Sequence, residues 1–246
     1  MRIYRLLGYP LDHSFSAVYF ADKFESEGIS DAVYKNIPVA DVSCLREIVR
    51  ENMLDGFNVT IPHKESIIPY LDELSPEARE IGAVNCVVRD GARLIGYNTD
   101  CYGFRESLLE LIGEERPAAL VLGSGGASKA VVYVLCGLGL PCRIVSSHPE
   151  KGEGYLSYTD LGKDIMATNH LIVNATPLGT FPRVSTAPDI PYELLTQQHY
   201  LYDLVYNPPL TRFLELGQEK GVAIRNGYRM LTLQADRAWE IFNGNR

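Results

Sequence analysis

Phe57, Val59 and Ile61 alternate with Asn58 and Thr60, so a strand here puts its apolar residues on one face and Asn58 and Thr60 on the other. Pro62 cannot donate to a sheet ladder and ends the strand, which leaves Lys64 in the first turn of the next element. The same alternation predicts strands over residues 3–8 and 34–37, and a helix comes after the first of them. Ala17, Phe20, Ala21 and Phe24 recur at helical spacing up to Gly28, and Val42, Leu45 and Val49 mark a second helix. Residues 66–74 read as helical despite Pro69. Residues 83–89 and 93–98 flank Asp90-Gly91, a hairpin signal that brings Asn85 opposite residues 96–98 and near Asp100.

Beyond Pro117 the pattern changes to strand–turn–helix units. Residues 118–122 form a continuous apolar run, the mark of a strand buried in a parallel sheet. It leads into Gly123-Ser124-Gly125-Gly126-Ala127-Ser128 and then a helix carrying Val131, Val132, Val134 and Leu135. Further strands are expected over 143–145, 170–174, 200–206 and 222–225. Leu210, Phe213, Leu214 and Gly217 mark a helix between the last two, and a final helix carries Leu231, Ala235, Ala238 and Phe242 on one stripe. The connection from 146 to 155 is too short for a helical crossover, which needs about a dozen residues, so a stunted connection and a shallow adenosine pocket are expected.

Composition narrows the function. At 246 residues, 46% hydrophobic and 22% charged, the chain has the make-up of a globular protein of one or two domains. A net charge of −8 without a basic run excludes a general nucleic-acid binder. No apolar stretch is long enough to span a membrane or to form the core of a signal peptide. The five cysteines lack CxxC spacing, which fits buried thiols in a reducing cytoplasm better than disulfides or a zinc site; no metal is expected.

The candidate chemistry lies at the element ends. The glycine run sits between a buried strand and a helix, the context of a dinucleotide fingerprint with Ser128 at its third small position. The acid or base that would select the ribose is replaced by Ser146-Ser147-His148, which leaves that choice open. Ser14 and Ser16 open a helix, where they serve as caps or grip a carboxylate. Lys64 is either a surface lysine or a proton donor, and Asp100 either a helix cap or its partner. Gln234, on the final helix, serves a hydrogen bond within the protein or a ligand hydroxyl.

Taken together, the runs GYPLDHSFS, DGFNVTIPHK, IGAVNCVV, GYNTDCYGF, VLGSGGASKA, VNATPLG, YDLVYNP and GYRMLTLQADRAW resemble shikimate dehydrogenases in order along nearly the whole chain. The resemblance implies an α/β fold: an N-terminal α/β substrate-binding domain, residues 1–101 with 227–246, and a Rossmann-like dinucleotide-binding domain, residues 102–226, with the C-terminal helix returning to the substrate domain. It implies NADPH-dependent reduction of 3-dehydroshikimate to shikimate in aromatic amino acid (chorismate) biosynthesis, by a cytoplasmic monomer or homodimer. Lys64 and Asp100 match the catalytic pair, Ser14 and Ser16 the carboxylate-binding hydroxyls, and Asn58, Thr60, Asn85, Tyr206 and Gln234 the other substrate contacts. Gly123, Ser124, Gly125, Gly126, Ala127, Ser147, Asn174, Thr176, Leu204 and Arg229 match the cofactor side. Serine at position 16 favours shikimate over quinate. The family's Asn-Arg-Thr for the NADP 2′-phosphate is missing, so either Lys151 compensates or the preference for NADP is weakened, and Tyr228-Arg229 stand where Leu-Gly borders the nicotinamide. The alternatives are a quinate/shikimate dehydrogenase using NAD and a non-catalytic shikimate-binding protein.

Overall fold

Residues that alternate in polarity at the N-terminus pair as β1 (Arg2–Gly8), and the helical spacing after them forms α1 (Ser16–Ser26). These belong to a computed structural model that describes residues 1–11, 14–148 and 154–245. The chain continues through β2 (Ala32–Pro38), α2 (Leu45–Glu51), β3 (Gly56–Val59), α3 (His63–Ser66), β4 (Glu73–Leu74) and α4 (Pro76–Ile81). The hairpin β5 (Cys86–Asp90) and β6 (Arg93–Tyr97) comes after these, then α5 (Asp100–Ile112).

Next come β7 (Ala119–Leu122), α6 (Gly126–Gly137), β8 (Cys142–Val145), β9 (Tyr155–Leu156), α7 (Lys163–Thr168) and β10 (Leu171–Asn174). The last elements are β11 (Tyr200–Asp203), α8 (Arg212–Gln218), β12 (Ala223–Arg225) and α9 (Tyr228–Phe242). Two compact units result, Met1–Tyr102 with Gln234–Arg246, and Gly103–Leu233.

The first unit holds a six-stranded sheet in the order β2-β1-β3-β5-β6-β4. Its middle strand, β3, is parallel to β1 and antiparallel to β5, and all four of its residues are buried. Leu7, Phe57, Val59, Ile67 and Val87 form one core; Tyr4, Phe20, Phe24 and Tyr34 form another with Ala235 of α9.

The structure corrects several expectations. The strand ends at Val59, so Ile61 leaves the buried face and is 72% exposed. Residues 66–74 do not form one helix: α3 stops at Ser66, a single 3-10 turn spans Ile68–Tyr70 around Pro69, and Glu73–Leu74 pair with β6. α4 was not foreseen, although Ser75 caps it by accepting from Ala78 N, Pro76 occupies its first position and Gly82 ends it. Val42 and Leu210 fall outside α2 and α8. The buried residues of α9 are Met230, Ala235, Ala238 and Ile241, a stripe slightly rotated from the expected one.

The second unit holds a six-stranded sheet in the order β12-β11-β10-β7-β8-β9, every pairing parallel. Counted from β7, this is the doubly wound order in which the ligand crevice lies at the C-terminal ends of β7 and β10, where the strand order reverses. α6 packs on β7 and β8, α8 on β11 and β12. β7 and β10 are wholly buried, as their unbroken apolar runs require. The loop foreseen between β8 and the next element leads into a short strand, β9, parallel to β8; Lys151 and most of the connection lie outside the described residues.

Candidate active site

Lys64 is the second residue of α3, which starts directly after Pro62. Its ammonium donates to Asp100 Oδ2 at 2.7 Å, with side-chain exposures of 21% and 11%. Asp100 is the first residue of α5 rather than a residue before it, and its other oxygen accepts from Asn85 Nδ2 at 3.0 Å. The aspartate is therefore the partner of Lys64.

Asn85 is the hub. Its Nδ2 also lies 2.9 Å from Thr99 Oγ1 and 3.3 Å from Gln234 Oε1, while its Oδ1 accepts from Thr99 N at 2.6 Å. The hairpin brings it there, since its own N–H donates to Tyr97 O at 3.1 Å. Its main-chain carbonyl accepts from Val59 N at 2.9 Å and from Asn58 Nδ2 at 3.0 Å. Asn58 Oδ1 in turn accepts from the Tyr34 hydroxyl at 2.8 Å. Burial pushes the Tyr34 phenol well up, so it stays a donor. Hydrogen bonds thus run without a break from Tyr34 through Asn58, Asn85 and Asp100 to Lys64.

This arrangement resolves the cap reading of the serines. Phe15 is the N-cap of α1 and no side chain caps it; Ser16 is the first helical residue, and Ser14 precedes the helix with its N–H donating to Leu11 O at 3.1 Å. Among the described residues no side chain caps the N-terminal amides of α1. Thr60 directly follows β3, its N–H donating to Leu7 O at 2.9 Å; a Cβ on Gly8 would lie 2.4 Å from its Cγ2. Sequence reasoning missed Tyr34 and Thr99. Thr99 stands between two chosen residues, and Tyr34 was visible as a tyrosine within a strand.

The second unit carries the glycine turn. Gly123 has φ +104°, a conformation that L side chains avoid, and a Cβ there would lie 3.0 Å from Thr176 Cγ2. Gly125 is the N-cap of α6 without a side-chain cap, and no acidic residue sits in the first turn from Gly126 and Ala127. Ser124 lies between the two glycines, and Ser128 Oγ donates back to Gly125 O at 2.8 Å.

At the end of β10, Asn174 Oδ1 accepts from Thr176 N at 3.0 Å and from Thr176 Oγ1 at 2.6 Å, and Leu204 N donates to Asn174 O at 3.0 Å. A Cβ on Gly227 would lie 2.1 Å from Leu204 O, so only glycine fits beneath that backbone. After β8, Ser147 and His148 are exposed and Ser146 is buried. Tyr206 belongs to this unit, three residues past β11. Arg229, placed beside the nicotinamide by resemblance, has its guanidinium held by Glu110: Nε at 3.0 Å and Nη2 at 2.9 Å.

The cysteines differ from expectation. Cys86 and Cys101 are buried, but Cys44 and Cys136 are exposed and Cys142 is half-buried. Among the described residues no helix is long and apolar enough to cross a membrane, and no three acids, histidines or cysteines gather as a metal site.

Known proteins resemble this chain over nearly its whole length. Residues 6–87 match the family model of the shikimate dehydrogenase substrate-binding domain. A shikimate dehydrogenase (NADP(+)) of Desulforamulus reducens is 37% identical over 97% of this chain and 89% of its own. Among solved structures, the shikimate 5-dehydrogenase of Thermus thermophilus in complex with NADP(H) and shikimate superposes with a TM-score of 0.87, 34% identity and coverage of 99% and 94%. The quinate dehydrogenase of Corynebacterium glutamicum in complex with NAD gives a TM-score of 0.87 at 27% identity with the same coverage. On the relatives' identity and coverage, the chain belongs to the shikimate dehydrogenase family.

Proposed function

We propose that the chain catalyses the reversible, NADPH-dependent reduction of 3-dehydroshikimate to shikimate, a step of aromatic amino acid (chorismate) biosynthesis. The observation that carries the reading is Lys64 held at 2.7 Å by Asp100, with Asn85 and Gln234 attached to the same network. Family membership and the relatives' NADP(+) names support the cofactor.

The residues fit a dinucleotide: the glycine turn leaves backbone open, and the uncapped N-terminus of α6 offers amides to a pyrophosphate. No carboxylate stands at 146–148 to repel a 2′-phosphate, and Ser147 and His148 supply polar side chains. When bound, NADPH supplies the hydride. Lys64 then gives its proton to the carbonyl oxygen of the substrate, so no alkoxide accumulates, and takes it back in the oxidative direction. Asp100 keeps the lysine aimed during both transfers, and Asn85 keeps Asp100 from turning. Ser14, Ser16 and the first amides of α1 hold the carboxylate; Asn58, Thr60, Asn85 and Gln234 serve the ring hydroxyls, and Tyr206 matches a tyrosine that faces substrate in the family.

In this reading residues 1–101 and 227–246 form the substrate-binding domain and 102–226 the NADP domain. A cytoplasmic monomer or homodimer goes with the same proposal. The purified protein is expected to reduce NADP in the presence of shikimate, with NAD and quinate as weaker substitutes. Absence of shikimate-dependent reduction of either cofactor refutes the proposal. Faster turnover with quinate and NAD would assign it instead to the quinate-type activity that the similar Corynebacterium glutamicum enzyme is named for.

A further inference from the structure

Asp203, the last residue of β11, is wholly buried. Its partners are neutral donors: Asn174 Nδ2 at 2.9 Å and Val205 N at 3.0 Å to Oδ1, and Thr211 Oγ1 at 2.6 Å to Oδ2. Burial pushes its carboxyl up to about 6, held from rising further by these three hydrogen bonds. A buried carboxylate without a cation is costly, and a neutral side chain of similar shape would serve packing at lower cost. Its position suggests what the acid does.

Asp203 aligns with Asn174 across the β10–β11 ladder, and Asn174 aligns with Leu122, the residue before Gly123, across β10–β7. An ionised carboxylate only accepts, so it draws the Asn174 NH2 towards itself and forces Asn174 Oδ1 to face the other way. That oxygen collects both the N–H and the hydroxyl of Thr176, folding residues 174–176 into a tight turn. The turn is anchored by Ala175 N donating to Leu122 O at 2.9 Å, and Thr176 Cγ2 then sits against the Cβ-less face of Gly123.

We propose that Asp203 is a positioning residue for the dinucleotide, fixing the orientation of the Asn174 amide and thereby the turn that borders the glycine loop. The inference rests on the dinucleotide reading of this unit. It concerns affinity for the cofactor and leaves shikimate binding unaffected.

The test is Asp203→Asn, assayed by titration calorimetry with NADP and, separately, with shikimate. An amide has one accepting and one donating end, so the all-acceptor pattern towards Asn174, Val205 and Thr211 is lost: either the Thr211 hydroxyl reverses its bond, or the NH2 turns to Asn174 and Val205 and repels their donors. The expected result is an NADP dissociation constant raised about tenfold, the worth of one hydrogen bond to a charged group, with that for shikimate within about twofold. A core truncation in the same unit, Leu120→Ala, controls for general loosening and is expected to lower the melting temperature without that selective loss. NADP affinity unchanged in Asp203→Asn, or lost equally in Leu120→Ala, overturns the inference. Should Asp203→Asn fail to fold, Thr211→Val removes one donor from the far side of the carboxylate. A lowered NADP affinity there supports the role, and an unchanged one overturns it. A wild-type chain that binds neither NADP nor NAD refutes the dinucleotide reading itself, a failure visible before any variant is made.

Discussion

Lys64 Nζ lies 2.7 Å from Asp100 Oδ2, and the aspartate's other oxygen is held by Asn85 Nδ2 at 3.0 Å. The lysine comes from the turn after a buried strand and the aspartate from the first residue of a helix, so two independent elements fix the pair. Lys64→Ala is expected to lower kcat by about 10²–10⁴, the usual range for a positioned proton donor, with shikimate affinity within a few-fold of wild type. Steady-state kinetics beside calorimetry check this, and near-normal turnover would remove Lys64 from the role.

Asn85→Ala tests the hub. It strips Thr99 N of its acceptor and Asp100 Oδ1 of a donor in a place where Asn85 is 3% exposed. Leaving buried groups unpaired costs about 1–3 kcal/mol each. A drop in stability by denaturant melt together with a drop in kcat is expected; stability equal to wild type would contradict the network.

Asp203 gives stability a pH dependence of known sign. Its folded pKa is raised from the unfolded 3.8 to about 6, so the folded state binds the proton more tightly. The stabilisation is complete below about pH 4 and is lost as pH rises through about 6, a change of about 3 kcal/mol at about 1.4 kcal/mol per unit. Asp203→Asn lacks it. The stability of wild type minus that of the variant should therefore fall across this window and stay flat above it; a difference independent of pH would mean that the carboxyl is not raised.

Gly227→Ala forces a Cβ to within 2.1 Å of Leu204 O, a backbone atom that cannot rotate away. The strand end at β11 has to shift, and a loss of about 1–3 kcal/mol is expected from the overpacking alone. Thermal melts measure it, and a melting temperature equal to wild type would show that the backbone gives way freely.

Much of this was legible in the chain. Asp90-Gly91 located the hairpin and through it the nearness of Asn85 to Asp100, because turn chemistry acts locally. The run before Gly123 located β7 and the glycine turn for the same reason. Ile61 was misplaced because an alternating pattern does not mark where the neighbouring strand stops pairing. Residues 66–74 were read as one helix although Pro69 limits it to a 3-10 turn. α4 escaped notice although Ser75-Pro76 and Gly82 announce its ends. Asp203 went unmarked because a buried acid has the same letter as an exposed one, and only the donors around it reveal its surroundings.

The path from Tyr34 to Lys64 has a consequence for how this protein can change. Asn58 and Asn85 each take part in two or more hydrogen bonds of the network, so an altered side chain at one leaves a neighbour in need of a new partner. Substitutions along the path should be epistatic: damaging singly, tolerated in certain combinations, and recorded in a mutational library as one locus spread over distant positions. Drift in substrate preference would then proceed through paired changes at Tyr34 and Asn58 more readily than through either alone.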